Sequence, residues 1–233
     1  MAVNFFPHMI AKVHLEDLHG IPLLTFSTVP FNEFLLFIKR TLDILISGAI
    51  ILSLAPLFMI ISLLIKISSP GTVFFKQFRV GRNGRHFTLY KFRSMVFDAE
   101  EKKKELENLN EMNGPVFKIK NDPRVTSIGR WLRKTSLDEI PQFWNVFIGE
   151  MSLVGPRPPL PEEVTHYKRW QKRKLSMKPG ITCLWQISGR NNNSDFDDWM
   201  KLDLKYIDNW SLKLDMQIFL RTILVVLWGK GAF

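Results

Sequence analysis

The longest uninterrupted apolar pattern runs from Ile44 to Ile65, 22 residues without a charge (ILISGAIILSLAPLFMIISLLI). That is about the ~20 residues a helix needs to cross a bilayer, and a soluble helix this long normally carries a polar face. Pro56 sits mid-run. It removes a backbone donor, frees the carbonyl of Leu52 and kinks the helix, and Ser53 is close enough to satisfy an exposed backbone group. Both flanks are basic: Lys39 and Arg40 before, Lys66, Lys76 and Arg79 after. The cationic asymmetry of a simple span is therefore missing. A helix that enters, bends at Pro56 and returns to the same face accounts for both features. A kinked span is the competing reading.

Elsewhere the period changes. Ile21–Ser27 (IPLLTFS) predicts a short strand, closed by Val29 and Pro30. TVFFKQFRV and HFTLYKF are aromatic, β-branched runs on either side of Gly81-Arg82-Asn83-Gly84, and the Asn-Gly pair predicts a hairpin. Asp98–Glu111 mixes charges in a helix-favouring run and predicts a solvated helix with i to i+4 pairs. Ser194 and Asp197 form a capping-box pattern that opens a helix through Trp210. Pro179-Gly180 and Ser188-Gly189 mark turns. Met216–Trp228 is apolar apart from Gln217, Arg221 and Thr222 and predicts an interfacial helix, with an ordinary core helix as its alternative. The sum is a mixed α/β chain, mainly helical, with few strands.

Composition narrows the picture only partly. Hydrophobic residues make up 46% of 233, with 19 Phe and 7 Trp, which excludes disorder as the main theme. The net charge of +10 suits nucleic acid, anionic lipid headgroups or phosphorylated substrates, without choosing among them. A single cysteine, Cys183, excludes an internal disulfide, and the five His lack zinc-ligand spacing. The first thirty residues do not have the order of a cleaved signal peptide.

Candidate chemistry is densest between Asp122 and Pro161. Asp138 and Glu139 are adjacent carboxylates. Ser136-Leu137-Asp138-Glu139 matches a capping box, although Pro141 weakens that register. The functional reading is that a carboxylate near a helix N-terminus has donors that would stabilise a phosphate formed on it, while its neighbour positions Mg²⁺ or manages a proton. Arg157 stands between Pro156 and Pro158, where fixed φ angles lower the entropy lost on clamping a phosphate. A loop or a proline-rich partner motif is the alternative. Arg133 precedes Asp138 by five residues, so only a chain break at Thr135-Ser136 brings it back toward the acid. Lys91, Arg93, Arg124 and Arg190 are further cationic candidates, each also readable as a surface or headgroup contact. Neither a G-x-x-x-x-G-K-[ST] loop nor a strand-led G-x-G-x-x-G is present.

These segments resemble the monotopic phosphoglycosyl transferases of the bacterial sugar transferase family. The resemblance rests on KRTLDI (Lys39–Ile44), the Pro56 helix, KFRSM (Lys91–Met95), DPRVTSIGRWLRKTSLDEIPQFWNV (Asp122–Val146), MSLVGPRP (Met151–Pro158), KPGIT (Lys178–Thr182), WQISGR (Trp185–Arg190) and the terminal GAF. It implies a membrane-embedded monotopic fold with a re-entrant helix kinked at Pro56. The expected division is an extension or domain remnant at 1–33, the re-entrant helix at 34–67, and at 68–233 a cytoplasmic catalytic domain ending in an interfacial helix. Residues 1–33 look like the tail of the extra domain that longer members carry. Cys183 stands where many relatives have Gly.

The resemblance further implies that Asp138 is both nucleophile and Mg²⁺ ligand, with Glu139 its partner acid. Arg133 and Arg157 are implied phosphate binders, with Lys91, Arg93, Arg124 and Arg190 as supporting candidates. The implied donor is a UDP-sugar, UDP-glucose or UDP-galactose before an N-acetylated sugar. The implied acceptor is undecaprenyl phosphate, and the location is the cytoplasmic face of the bacterial inner membrane, among its lipids. A homodimer is compatible with this reading. A nucleic-acid module leaves the apolar run and the Asp-Glu pair unexplained. A catalytically inert membrane anchor is the remaining alternative.

Overall fold

The computed structural model describes residues 2–6, 9–18, 21–27, 32–106, 108, 110, 115–117, 119, 122–187 and 195–227. The N-terminal segment is an antiparallel meander of β1 (Ala2–Phe6), β2 (Met9–Leu18) and β3 (Ile21–Ser27). The expected strand is β3. Strand β2 lay in the alternation of Val13 and Leu15 with Lys12, His14 and Glu16, and its register opposes His14 to Thr25.

Asn32 caps α1 (Glu33–Ser53) by accepting the Leu35 amide at 3.1 Å. The helix breaks at Leu54, and α2 (Ala55–Ser68) leaves at 60°. Pro56 lies in the first turn of α2, where its missing donor is tolerated, so the kink is a break between two helices. The Ser53 hydroxyl donates to the Ile50 carbonyl at 3.1 Å, a carbonyl that already accepts the Leu54 amide. Among the described residues no single helix is long and apolar enough to cross a membrane, but the bent pair together has the length and composition.

Helix α1 is polar inside and apolar outside, whereas α2 buries the apolar Ile61 and Ile65. On α1 the buried stripe is Lys39, Asp43 and Ser47, while Phe34, Phe37, Leu45 and Leu52 are exposed, Leu52 by 79%. Met59, Leu63 and Ile67 project likewise from α2. A helix that turns polar groups inward and apolar groups outward suits hydrocarbon surroundings. The inward polar groups are paired. Lys39 Nζ donates to the Val154 carbonyl at 2.9 Å and pairs with Asp215, while Asp43 accepts the Leu153 amide at 3.0 Å. Arg40 donates to the carbonyls of Val146 and Phe147.

Next come the hairpin β4 (Phe74–Val80) and β5 (His86–Phe92), in a register that opposes Phe75 to Lys91. Its turn uses the expected Asn83 and Gly84, both at positive φ. The charged run is helical over α3 (Ala99–Glu105), with the Asp98–Lys102 pair at 2.7 Å, shorter than the expected span to Glu111. Helix α4 (Ser127–Lys134), capped by Thr126, is followed by α5 (Gln142–Ile148). Parallel strands β6 (Ser152–Val154) and β7 (Gly180–Thr182) bracket α6 (Pro161–Thr165). Gly180, expected in a turn, is thus in a strand: Gly155 N–H donates to the Thr182 carbonyl, which extends the pairing. Short α7 (Leu184–Ile187), then α8 (Phe196–Asp208) and α9 (Leu212–Leu227) complete the chain. The cap of α8 is Asp195, which accepts the Asp197 amide, and Ser194, expected to open the capping box, lies outside the described residues.

The main core joins β5, β6, α5, α8 and α9 through Leu89, Val146, Met151, Leu153, Tyr206 and Ile218. A second cluster sets Ile61 and Ile65 of α2 against Phe92, Leu132 and Ile140. The apolar helix therefore packs directly on the elements that flank Asp138. Helix α9 buries Ile218 and exposes Met216, Leu220, Ile223 and Leu224, which fits an interfacial helix lying on the same core.

Candidate active site

The capping-box expectation at Ser136 fails, for a backbone reason. Ser136 adopts a left-handed conformation (φ 56°), makes no side-chain cap, and opens one 3₁₀ turn over Leu137–Glu139 before α5 starts beyond Pro141. A non-glycine residue held at positive φ beside two carboxylates is a local cost that the surroundings must enforce. The break after α4 at Thr135-Ser136 is the one expected, and it returns Arg133 toward Asp138.

The turn places Asp138, Glu139, Lys91, Arg133 and Arg157 around one cavity of ≈ 850 Å³. Asp138 is 8% exposed. Burial pushes its carboxyl up to about 6. Lys91 and Arg133 oppose that shift, and the like charge of Glu139 reinforces it. Lys91 Nζ donates to Glu139 Oε1 at 2.7 Å. Arg133 donates from Nε to Ser94 Oγ at 2.9 Å. Ser94 is fixed in turn, because its carbonyl accepts the Thr126 amide where Met95 bridges Val125.

Two sequence candidates line the cavity with their donors already engaged. Arg93 donates to the carbonyls of Ser69 and Pro70, closing the chain after α2. Arg124 forms a two-point pair with Asp122 and also donates to the Ala99 carbonyl. Arg190 lies outside the described residues.

Arg157 is held by its loop. Gly180 N–H donates to the Pro156 carbonyl, Arg79 Nη1 to the Pro158 carbonyl at 2.9 Å, and Val80 N–H to the Pro159 carbonyl. The loop packs so closely on β7 that a Cβ on Gly155 would lie 2.4 Å from the Lys178 carbonyl oxygen, where only glycine fits.

The sequence pattern assigned no site role to Ser94, Arg79, Glu163 or Asn145. Asn145 is fully buried. Its amide donates to the Thr88 carbonyl and to Glu150 and accepts the Tyr90 amide, so α5 grips β5 next to Lys91. Its polarity inside an apolar stretch (QFWNVF) was the available signal.

Residues 34–229 match the model of the family described as bacterial sugar transferase. The chain belongs to the bacterial sugar transferase family. It is 48% identical over 225 residues to a galactosyl transferase, CpsE, of Streptococcus agalactiae, covering 96% of this chain and 49% of that protein. It is 45% identical over 206 residues to an undecaprenyl-phosphate galactose phosphotransferase of Salmonella typhimurium, covering 84% of this chain and 42% of that protein. The exopolysaccharide production protein ExoY of Rhizobium meliloti is 41% identical over 199 residues, covering 84% and 88%. The chain thus spans about half the length of the first two relatives and most of the third. The family match begins at the start of α1 and takes in every residue placed around the cavity.

Proposed function

We propose that this sugar transferase chain moves hexose-1-phosphate from a UDP-sugar to undecaprenyl phosphate, releasing UMP, as the first membrane step of exopolysaccharide or capsule synthesis. The observation that carries the reading is Asp138: a buried carboxylate flanked by Lys91 and Arg133 in a large cavity, with the bent apolar helix pair packed behind it. Such surroundings suit a nucleophile that meets polyanionic phosphates at a lipid surface.

In the proposed reaction an Asp138 carboxylate oxygen attacks the β-phosphorus of the UDP-sugar. The bond from that phosphorus to the oxygen bridging the two phosphates breaks, and UMP leaves with the bridging oxygen. The hexose phosphate is then held on Asp138 as an acyl phosphate. An oxygen of undecaprenyl phosphate attacks the same phosphorus, and the Asp138 carboxylate is restored. Arg133 and Arg157 bind the phosphates, Lys91 fixes Glu139 and offsets the negative charge of Asp138, and Glu139 positions the acceptor. Arg93 and Arg124 shape the wall.

Among the described residues no three acidic, His or Cys side chains converge as an ion cage. The adjacent carboxylates on the cavity instead fit Mg²⁺, which binds through one or two carboxylates and takes further oxygens from phosphates. Asp138 would hold the ion, whose charge would neutralise the transferring phosphate.

The inverted polarity of α1 and the exposed apolar side chains of α2 support a re-entrant element over residues 34–67 in the bacterial inner membrane, with 68–233 as the catalytic unit on the cytoplasmic side. The names of the relatives favour UDP-galactose or UDP-glucose. The test mixes detergent-solubilised protein, Mg²⁺, undecaprenyl phosphate and single UDP-sugars and follows the released nucleotide. UMP that disappears with Asp138→Asn is the expected result. UDP in its place would mean direct glycosyl transfer, and absence of nucleotide release with every UDP-hexose would favour an inert anchor.

A further inference from the structure

Behind Arg157 the cavity wall contains a buried acid that the reaction above does not use. Glu163, on α6, has a side chain only 2% exposed, and its Oε1 lies 3.6 Å from Arg157 Nη1. That distance is an ion pair without a hydrogen bond, so the Arg157 fork keeps its donors. Glu163 Oε2 is buried and has no hydrogen-bond partner among the described residues, nor has the Tyr167 hydroxyl one turn further on. Burial and the Glu163 charge both drive the Tyr167 pKa upward, which keeps that hydroxyl protonated as a potential donor.

A second buried cation, Arg79, is near enough to feel the same carboxylate. Arg79 is buried, burial and the nearby Arg157 charge lower its pKa to about 10, and Glu163 is the strongest influence opposing that fall. Two guanidinium groups of like sign thus stand near one acid, and Arg79 also fixes the loop by its bond to Pro158. A buried carboxylate carries a large desolvation penalty. That it is kept here, on a short helix opened by Pro161, fits a group that sets where a neighbouring charge sits.

We propose that Glu163 is a positioning residue for Arg157, holding its guanidinium at the cavity wall with donors turned to the phosphates of the nucleotide sugar. This rests on the reading of Arg157 as a phosphate binder. Glu163 offsets the repulsion between Arg79 and Arg157 without occupying the hydrogen-bonding edge that a phosphate needs. An amide at this position would leave the two cations to repel each other, and Arg157 would swing toward solvent.

The test is a double-mutant cycle on the full chain with Glu163→Gln and Arg157→Gln, measuring UMP release, UDP-sugar binding and thermal melting. Glu163→Gln is expected to lower kcat/KM about tenfold or more, mainly by raising KM for the UDP-sugar, with little change in melting temperature. On the Arg157→Gln background the same change is expected to cost almost nothing, as for residues that act as one unit. An equal loss on both backgrounds, or none on the native one, overturns the proposal, since a merely structural acid would act independently of Arg157. Full activity of Arg157→Gln alone would instead overturn the phosphate-binding reading beneath it. Should the amide not fold, Glu163→Asp, which keeps the charge on a shorter arm, gives the same comparison.

Discussion

Lys91 on β5 and Glu139 in the turn before α5 meet at 2.7 Å, and Asp138 lies beside this pair with its own charge set by both. One cation thus restrains two acids of which only one is buried. If Lys91 lowers and Glu139 raises the Asp138 pKa, removing each moves the acid limb of the pH–rate profile in opposite directions. Lys91→Met is expected to shift it up and Glu139→Gln to shift it down, each by about 0.5–1 unit. Profiles of UMP release at fixed saturating Mg²⁺ provide the measurement. Shifts of the same sign would show that the pair does not tune the proposed nucleophile.

Asp138 also links stability to pH. Its folded-state pKa of about 6 exceeds the ~3.9 of an unfolded aspartate. The folded chain therefore holds this proton more tightly. The stabilisation from it is complete below the unfolded value and is lost as pH rises through about 6. Asp138→Asn removes that loss, so without divalent cations it is expected to be more stable than the native chain at pH 8, by about 1–3 kcal/mol. The gap should narrow as pH falls through about 6 and close below about pH 4. A variant that melts lower at pH 8 would mean that pairing with Lys91 and Arg133 outweighs burial.

Asn145 is expected to be among the most sensitive positions away from the reacting atoms. Asn145→Ala strands the Thr88 carbonyl and the Tyr90 amide and opens a gap between α5 and β5. The expected cost is about 2–4 kcal/mol in chemical denaturation, with activity falling as the hairpin loosens. A loss under 1 kcal/mol would show that α5 holds β5 by apolar packing alone.

The bend at Leu54 predicts a topology. Single cysteines at Asn32 and Ser69, with the buried Cys183 replaced by serine, should both react from the cytoplasmic side of sealed vesicles. Pro56→Leu restores a backbone donor and favours a continuous helix, which should move one of the two probes to the opposite face. Opposite-side labelling in the unmodified chain would establish a broken span.

Much of this molecule was legible from local pattern. The Asn83-Gly84 hairpin, the helix break just before Pro56 and the chain reversal after Arg133 each depend on backbone rules that act within a few residues, and all three are present. The Asp-Glu pair and the Pro-Arg-Pro loop were likewise visible as chemistry, since residue type alone says what can bear charge or clamp phosphate.

Their partners were not legible. Lys39 meets Asp215 across 176 positions, Asn145 reaches Thr88 across 57, and Arg133 needs Ser94 from a segment 39 residues earlier. Sequence also made Ser136 a cap, whereas it adopts the left-handed region just before Asp138 and makes no cap bond. Sequence determines which groups are available and where the chain can turn. The tertiary structure decides which charges are desolvated together, because burial and Coulombic coupling depend on distances in space that no local spacing encodes.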